Sequence, residues 1–181
     1  MTIIYTLNEN DFLQYQLYIA SKTDSIKKQR KNTWLIFSGS FLLLSFMFYQ
    51  SGNTFLTYYF LFFGIIVACF YPTFQKWYHR NHYRKYIVEN YKNKLGDTGR
   101  ITFKDDIIEI VERAGEFKIK LTEIENTTEI ADYFFIKMNS GGHLILPKNQ
   151  LDNIDNVRNG FKQICNKLSV SFIEELNWRW K

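Results

Sequence analysis

Histidine, cysteine and proline are scarce in this chain of 181 residues, which has three, two and two of them. Cys69 and Cys165 are too few for a disulfide framework or a multi-cysteine metal centre. With only two prolines, and with 46% apolar and 18% aromatic residues, a disordered or collagen-like chain is excluded. The largest absence is local. From residue 32 to residue 75 there is no Asp, Glu, Lys, Arg or His. Nor does the sequence contain a phosphate-cradling glycine loop, a zinc-ligand spacing or a nucleophile elbow. The length suits one ordinary domain with one small extra module.

The formal charge of +5 invites a nucleic-acid reading until its distribution is followed. Residues 1–31 carry +2, residues 76–95 carry +5, and residues 96–181 carry −2. The positive excess therefore flanks the uncharged stretch, while the longest polar region is slightly acidic. A nucleic-acid partner is not expected.

The uncharged stretch, 32–75, reads as a hairpin of two apolar helices, 33–49 and 54–74, separated by Gln50, Ser51, Gly52 and Asn53. At about 1.5 Å per residue they span about 26 and 32 Å, against a hydrocarbon core of about 30 Å. Trp34, Tyr49, Tyr58, Tyr59, Tyr71, Trp77 and Tyr78 lie mostly toward the ends, where amphipathic rings favour the headgroup zone, Tyr58 and Tyr59 fitting least well. Neither helix shows the polar face expected of a soluble core helix. Small residues, among them Ser45, Gly64 and Ala68, suit close helix approach. Both flanks are basic, with Lys27, Lys28, Arg30 and Lys31 before the hairpin and Lys76, Arg80, Arg84 and Lys85 after it. The positive-inside tendency places both termini in the cytoplasm of a multi-pass inner-membrane protein, with these eight cations facing anionic headgroups. No ionisable group lies within the spans, so a pore or pump made by this chain alone is not expected.

Beyond the hairpin, 76–95 reads as a basic helix, and from Gly96 the texture changes to strands and turns. Ile101 and Phe103 share a face, Phe117, Ile119 and Leu121 alternate with charges, and Asn139-Ser140-Gly141-Gly142 marks a hairpin. After Pro147, the residues Leu151, Ile154, Val157, Phe161, Ile164 and Leu168 trace one face of a closing amphipathic helix. Residues 96–168 thus form a small antiparallel sheet capped by a helix. Residues 169–181 are left as a tail whose Trp178 and Trp180 either return to the bilayer or pack on the module. In residues 1–31, Thr2–Leu7 reads as a strand packing onto that module. Asn8 or Asn10 caps a helix with Leu13, Leu17 and Ala20 on its apolar face.

The opening Ile3-Ile4-Tyr5-Thr6-Leu7 with Asn10-Asp11-Phe12, the hairpin, and Gly142 to Lys148 before the last helix together resemble the YcxB-like family of bacterial membrane proteins. The resemblance implies a pleckstrin-homology-like cytoplasmic domain, a bent antiparallel sheet capped by a helix. It carries no site residues to transfer. The fold class expected is membrane α+β.

Acidic residues are dense between Asp105 and Asp132, and alternation assigns most of them to solvent; Glu123, Glu125 and Glu129 could face a cation or a basic partner, but solvation explains them more cheaply. Asp105-Asp106 reads as a turn, His143 as a strand side chain near a hairpin, and Cys165 as a buried filler. No catalytic, cofactor or metal residue is expected, and no enzyme. The function expected is a non-catalytic membrane-anchored binding module for a protein or lipid partner, with a homo-oligomer allowed. The rival is an accessory or immunity-type subunit acting through the hairpin, and a membrane enzyme ranks below both.

Overall fold

The computed structural model describes residues 1–180, with Asn93 described by its backbone alone. The order of elements is β1 (Thr2–Thr6), α1 (Glu9–Lys22), α2 (Asp24–Gln50), α3 (Thr54–Asn90), β2 (Thr98–Phe103), β3 (Ile107–Glu112), β4 (Gly115–Lys120), β5 (Ile124–Ile130), β6 (Tyr133–Met138), β7 (His143–Pro147), α4 (Ile154–Leu168) and β8 (Ser171–Glu175). The chain divides into two units. One comprises Met1–Tyr15 and Tyr86–Arg179, the other Gln16–Lys85 with Trp180.

The first unit contains every strand, in two four-stranded sheets. Sheet one runs β1-β2-β3-β4, antiparallel throughout. Sheet two runs β7-β6-β5-β8, antiparallel except for the parallel pair β5–β8. A parallel neighbour requires a crossover, and α4 provides it between β7 and β8. Alternation fills one core from both sheets and the helix. Ile3, Tyr5, Ile101, Phe103, Ile108 and Ile110 come from sheet one, Phe134, Ile136, Leu144 and Leu146 from sheet two, and Val157 and Phe161 from α4. Phe161 meets Phe103 and Phe134 at centroid distances of 5.4 and 5.3 Å, both edge-on.

The opening strand packs as its alternation predicts, pairing with β2 so that Tyr5 faces Gly99. Gly99 has to be glycine, because a Cβ there would sit 2.7 Å from Tyr5 Cζ. Helix α1 is capped by Asn8, whose Oδ1 accepts from the Asn10 N–H at 2.8 Å, while Asp11 Oδ2 accepts from the Asn8 N–H at 2.7 Å. Leu13, Leu17 and Ala20 are buried. Asp105 and Asp106 do occupy the turn between β2 and β3.

Four expectations need correction. The module has two sheets rather than one, because the consecutive strands β4 and β5 do not pair with each other; β1 and β8, from outside 96–168, add one strand to each sheet. Residues read as tail form β8, which pairs with β5 from Asn126↔Ser171 to Ile130↔Glu175. The apolar helices begin and end outside the uncharged stretch: α2 starts at Asp24, and α3 continues through Pro72 to Asn90, where a 3-10 turn, Lys92–Lys94, replaces the last turn of the basic helix. Phe117, whose alternation predicts burial, is 47% exposed.

In the second unit, α2 and α3 fold back on each other about the turn at 51–53, where Gly52 takes φ +76°. Hydrogen bonds from side chains to backbone carbonyls link them. Ser45 Oγ donates to Thr57 O at 2.9 Å, Trp34 Nε1 to Ala68 O at 3.0 Å, and Gln75 Nε2 to Arg30 O at 3.0 Å. Gly64 permits the close approach, since a Cβ on it would stand 3.1 Å from Phe41 Cβ. Phe48 stacks on Phe60 at 5.3 Å and Phe37 on Tyr71 at 5.2 Å. The two helices are long and apolar enough to cross a membrane, and in each only 6% of the most apolar stretch is buried.

Candidate functional site

The cations expected to face headgroups all lie in the second unit, on the parts of α2 and α3 distant from the turn. Lys27, Lys28, Lys31, Lys76, Arg80, Arg84 and Lys85 are exposed. Lys27 pairs with Asp24 at 3.0 Å, a solvated i,i+3 contact of little energetic weight. Arg30 differs from the other seven. Its guanidinium lies over the Trp180 ring, 4.7 Å from the centroid, and it is only half exposed. Trp180 in turn donates its Nε1–H to Lys76 O at 3.2 Å and meets His79 edge-on at 6.5 Å. The Trp180 indole is thus buried among the helices of the hairpin unit, a position that neither expected alternative names.

The first unit holds a polar cluster that alternation in the sequence conceals. Glu129 is fully buried although its segment reads as solvated. Arg158 Nε donates to Glu129 Oε2 at 2.8 Å and Arg158 Nη2 to Oε1 at 2.7 Å. Lys148 Nζ donates to Oε1 at 2.6 Å and to Ile130 O at 2.7 Å, and stands 5.0 Å from the Phe134 centroid. Asp155 also accepts from Arg158 Nη1. Burial alone would push the Glu129 carboxyl up, but the hydrogen bonds and charges of Arg158 and Lys148 outweigh it and hold it below the usual carboxylate range. A carboxylate held by donors from two cations is a poor general base. The cluster fastens α4 and the end of β7 to β5. Its readable signal is the pair of cations, Lys148 after Pro147 and Arg158 on the polar side of α4, which require a counter-charge once buried.

Two further polar contacts tie strands together. Tyr5 Oη donates to Glu112 Oε1 at 2.7 Å across β2, and Tyr133 Oη donates to Asp11 Oδ1 at 2.8 Å, joining β6 to the first turn of α1. Burial, reinforced by these carboxylates, pushes both phenols up, so both remain neutral donors. His143 packs its ring on Tyr15 at 4.7 Å. Burial also pushes the Cys165 thiol up, against an opposing hydrogen bond with Thr127. Among the described residues, no group of three His, Cys, Asp or Glu is arranged to hold a metal ion.

The family model described as YcxB-like protein matches residues 103–159, a narrower span than the resemblance read from the residues. The matched segment runs from the end of β2 into α4 and contains Glu129, Lys148 and Arg158, all three members of the buried cluster. No curated protein and no solved structure matches the chain. The similarity of this chain to the YcxB-like family is carried by residues 103–159.

Proposed function

We propose that this chain is an integral protein of the bacterial inner membrane. Its hairpin, residues 33–49 and 54–74, crosses the bilayer twice, and it holds a non-catalytic binding module for protein or lipid partners at the cytoplasmic leaflet. The observation that carries the reading is the outward apolar surface of α2 and α3. Ile36, Leu43, Met47, Phe55, Phe62 and Phe70 are all more than half exposed, on helices that Ser45 and Trp34 of α2 join by donating to carbonyls of α3. In water such a surface is far larger than the apolar patches soluble monomers leave open, whereas in hydrocarbon it costs nothing. At about 1.5 Å per residue, the 27 and 37 residues of α2 and α3 give about 40 and 55 Å, enough to cross about 30 Å and continue as basic stems.

Strand pairing supports a double crossing independently of charge. β1 precedes the hairpin and β2 follows it, yet the two are hydrogen-bonded neighbours in sheet one. Both ends of the hairpin must therefore finish on the same side, which only an even number of crossings permits. The positive flanks make that side the cytoplasm. Two four-stranded sheets closed by α4 suit a pleckstrin-homology-like module, and the self-satisfied Glu129 cluster suits one that works through its surface rather than by chemistry.

Alkaline carbonate extraction and cysteine labelling test this reading on the full chain carrying Cys69→Ser and Cys165→Ala. The protein is expected in the carbonate-resistant pellet. Asn53→Cys is expected to react with an impermeant maleimide in spheroplasts, and Asp105→Cys only after lysis. Release by carbonate, or labelling of Asp105→Cys in sealed spheroplasts, overturns it.

A further inference from the structure

Each sheet ends in two strands whose outer edges lack a strand partner among the described residues, and these four edges are treated differently. At β1 the side-chain amide of Gln150 substitutes for a neighbouring strand, accepting from Thr6 N–H at 2.6 Å and donating to Thr6 O at 2.8 Å. At β7, Leu144, Ile145, Leu146 and Pro147 are buried. β8 ends in two like charges, Glu174 and Glu175. β4, with the sequence GEFKIK, is exposed at Glu116, Phe117, Lys118 and Lys120, and its charges, unlike those of β8, are of both signs and so admit a complementary strand.

The direction of its backbone groups follows from the hairpin it makes with β3. Arg113 and Ala114 form the turn, Glu112 stands opposite Gly115, and the Leu121 N–H donates to Asp106 O at 2.8 Å. Odd-numbered residues of β4 therefore exchange bonds with β3, while Glu116, Lys118 and Lys120 direct their N–H and C=O groups to the open edge. Phe117 points to the same face as Ile110 opposite it, yet no neighbour shields it from solvent, and it remains 47% exposed.

We propose that β4 is a self-recognition edge, at which two copies of this chain pair β4 to β4 antiparallel about a two-fold axis through Phe117. Charge selects the occupant and the register. With Phe117 opposite its own copy, Glu116 of each chain faces Lys118 of the other, giving two attractive cross-strand pairs, and the two phenyl rings cover each other. Glu116 and Lys118 are also the residues whose backbone groups face the edge, so the charge pairs coincide with the hydrogen-bonded pairs. Shifting the axis to Lys118 would oppose Lys118 to itself. The contact is isologous and closes on two copies, so it consumes the free edge without propagating into a fibre.

The test uses the full chain in detergent, carrying Cys69→Ser and Cys165→Ala. Phe117→Cys is expected to form a disulfide-linked dimer under mild oxidation, because a non-hydrogen-bonded pair on the axis brings the two Cβ atoms together. Val111→Cys, on the opposite face of the neighbouring strand, is expected to remain monomeric. Glu116→Lys should weaken dimerisation about tenfold, since two attractive pairs become repulsive. Adding Lys118→Glu to it should restore the dimer. Light scattering on the chain with native β4, against Glu116→Lys, gives the same comparison without a cysteine in the strand. A monomer with native β4, a stronger cross-link from Lys118→Cys or Val111→Cys than from Phe117→Cys, or indifference to Glu116→Lys overturns the proposal.

Discussion

Gly99 and Tyr5 form a pair in which each explains the other. The tyrosine ring lies over the glycine so that its hydroxyl reaches Glu112 one strand further on. Gly99→Ala forces that ring aside, and a loss of about 1–3 kcal/mol is expected in denaturant titration of the full chain, as for an overpacked core. Tyr5→Phe keeps the ring and removes only the hydrogen bond, for an expected loss of about 1 kcal/mol. Glu129 sets a pH dependence of definite sign. Its carboxyl is depressed in the folded state, so its contribution is complete above the ordinary carboxylate value of about 4.3 and fades as pH falls through the lower folded value. Glu129→Gln leaves Lys148 buried without a counter-charge and Arg158 with Asp155 alone, which should cost about 3–5 kcal/mol at neutral pH. It should also flatten the fall of the melting temperature below about pH 4. A melting curve as steep in acid as that of the parent would show that the cluster is not ionised as described.

Helix α4 ends in a residue that pays a conformational penalty. Ser169 adopts φ 56°, the left-handed conformation, so that its own N–H reaches Asn166 O and the Val170 N–H reaches Cys165 O. Ser169→Gly relieves this, and a gain of about 0.5–1 kcal/mol is expected in the same titration. The apolar periodicity starts α4 too early, at Leu151; Asn153, an N-cap of the usual type, accepts from the Asn156 N–H at 2.9 Å and starts the helix at Ile154. Its end at Leu168 was legible from the last periodic apolar residue. β8 was not, because five residues after a helix carry too little alternation to declare a strand, and their partner β5 lies 45 positions earlier in the register. The apolar helices were legible as a pair from missing charge alone. Their true ends were not, since helical hydrogen bonding continues into polar sequence once the turn has formed, and even Pro72 does not interrupt it. Seven of the eight flanking cations are exposed and Arg30 is not. The separate fate of Arg30 depended on Trp180, distant in sequence and without periodic signal. For Glu129 the cheaper reading, solvation, fails and the alternative, a cation, holds, because strand alternation sorts faces and cannot tell solvent from a buried cation.

At the scale of the whole molecule, orientation is expected to follow the seven exposed cations. Neutralising Lys27, Lys28, Lys31, Lys76, Arg80, Arg84 and Lys85 to Gln should reduce the fraction of Asn53→Cys labelled from outside, because the charge asymmetry that directs insertion is gone. Unchanged labelling would assign orientation to some other feature. The pairing of β1 with β2 has a further consequence, for synthesis. The first strand leaves the ribosome some ninety residues ahead of its partner, and in the interval the whole hairpin must be made. Until Thr98–Phe103 emerges, Ile3 and Tyr5 have no socket, and any piece of this protein cut off after the hairpin begins with an open seam along β2. A short peptide bearing Thr2–Thr6 is the natural patch for such a piece, and its capture would show that the amino terminus, usually the first segment trimmed for expression, is a structural part of the distant half.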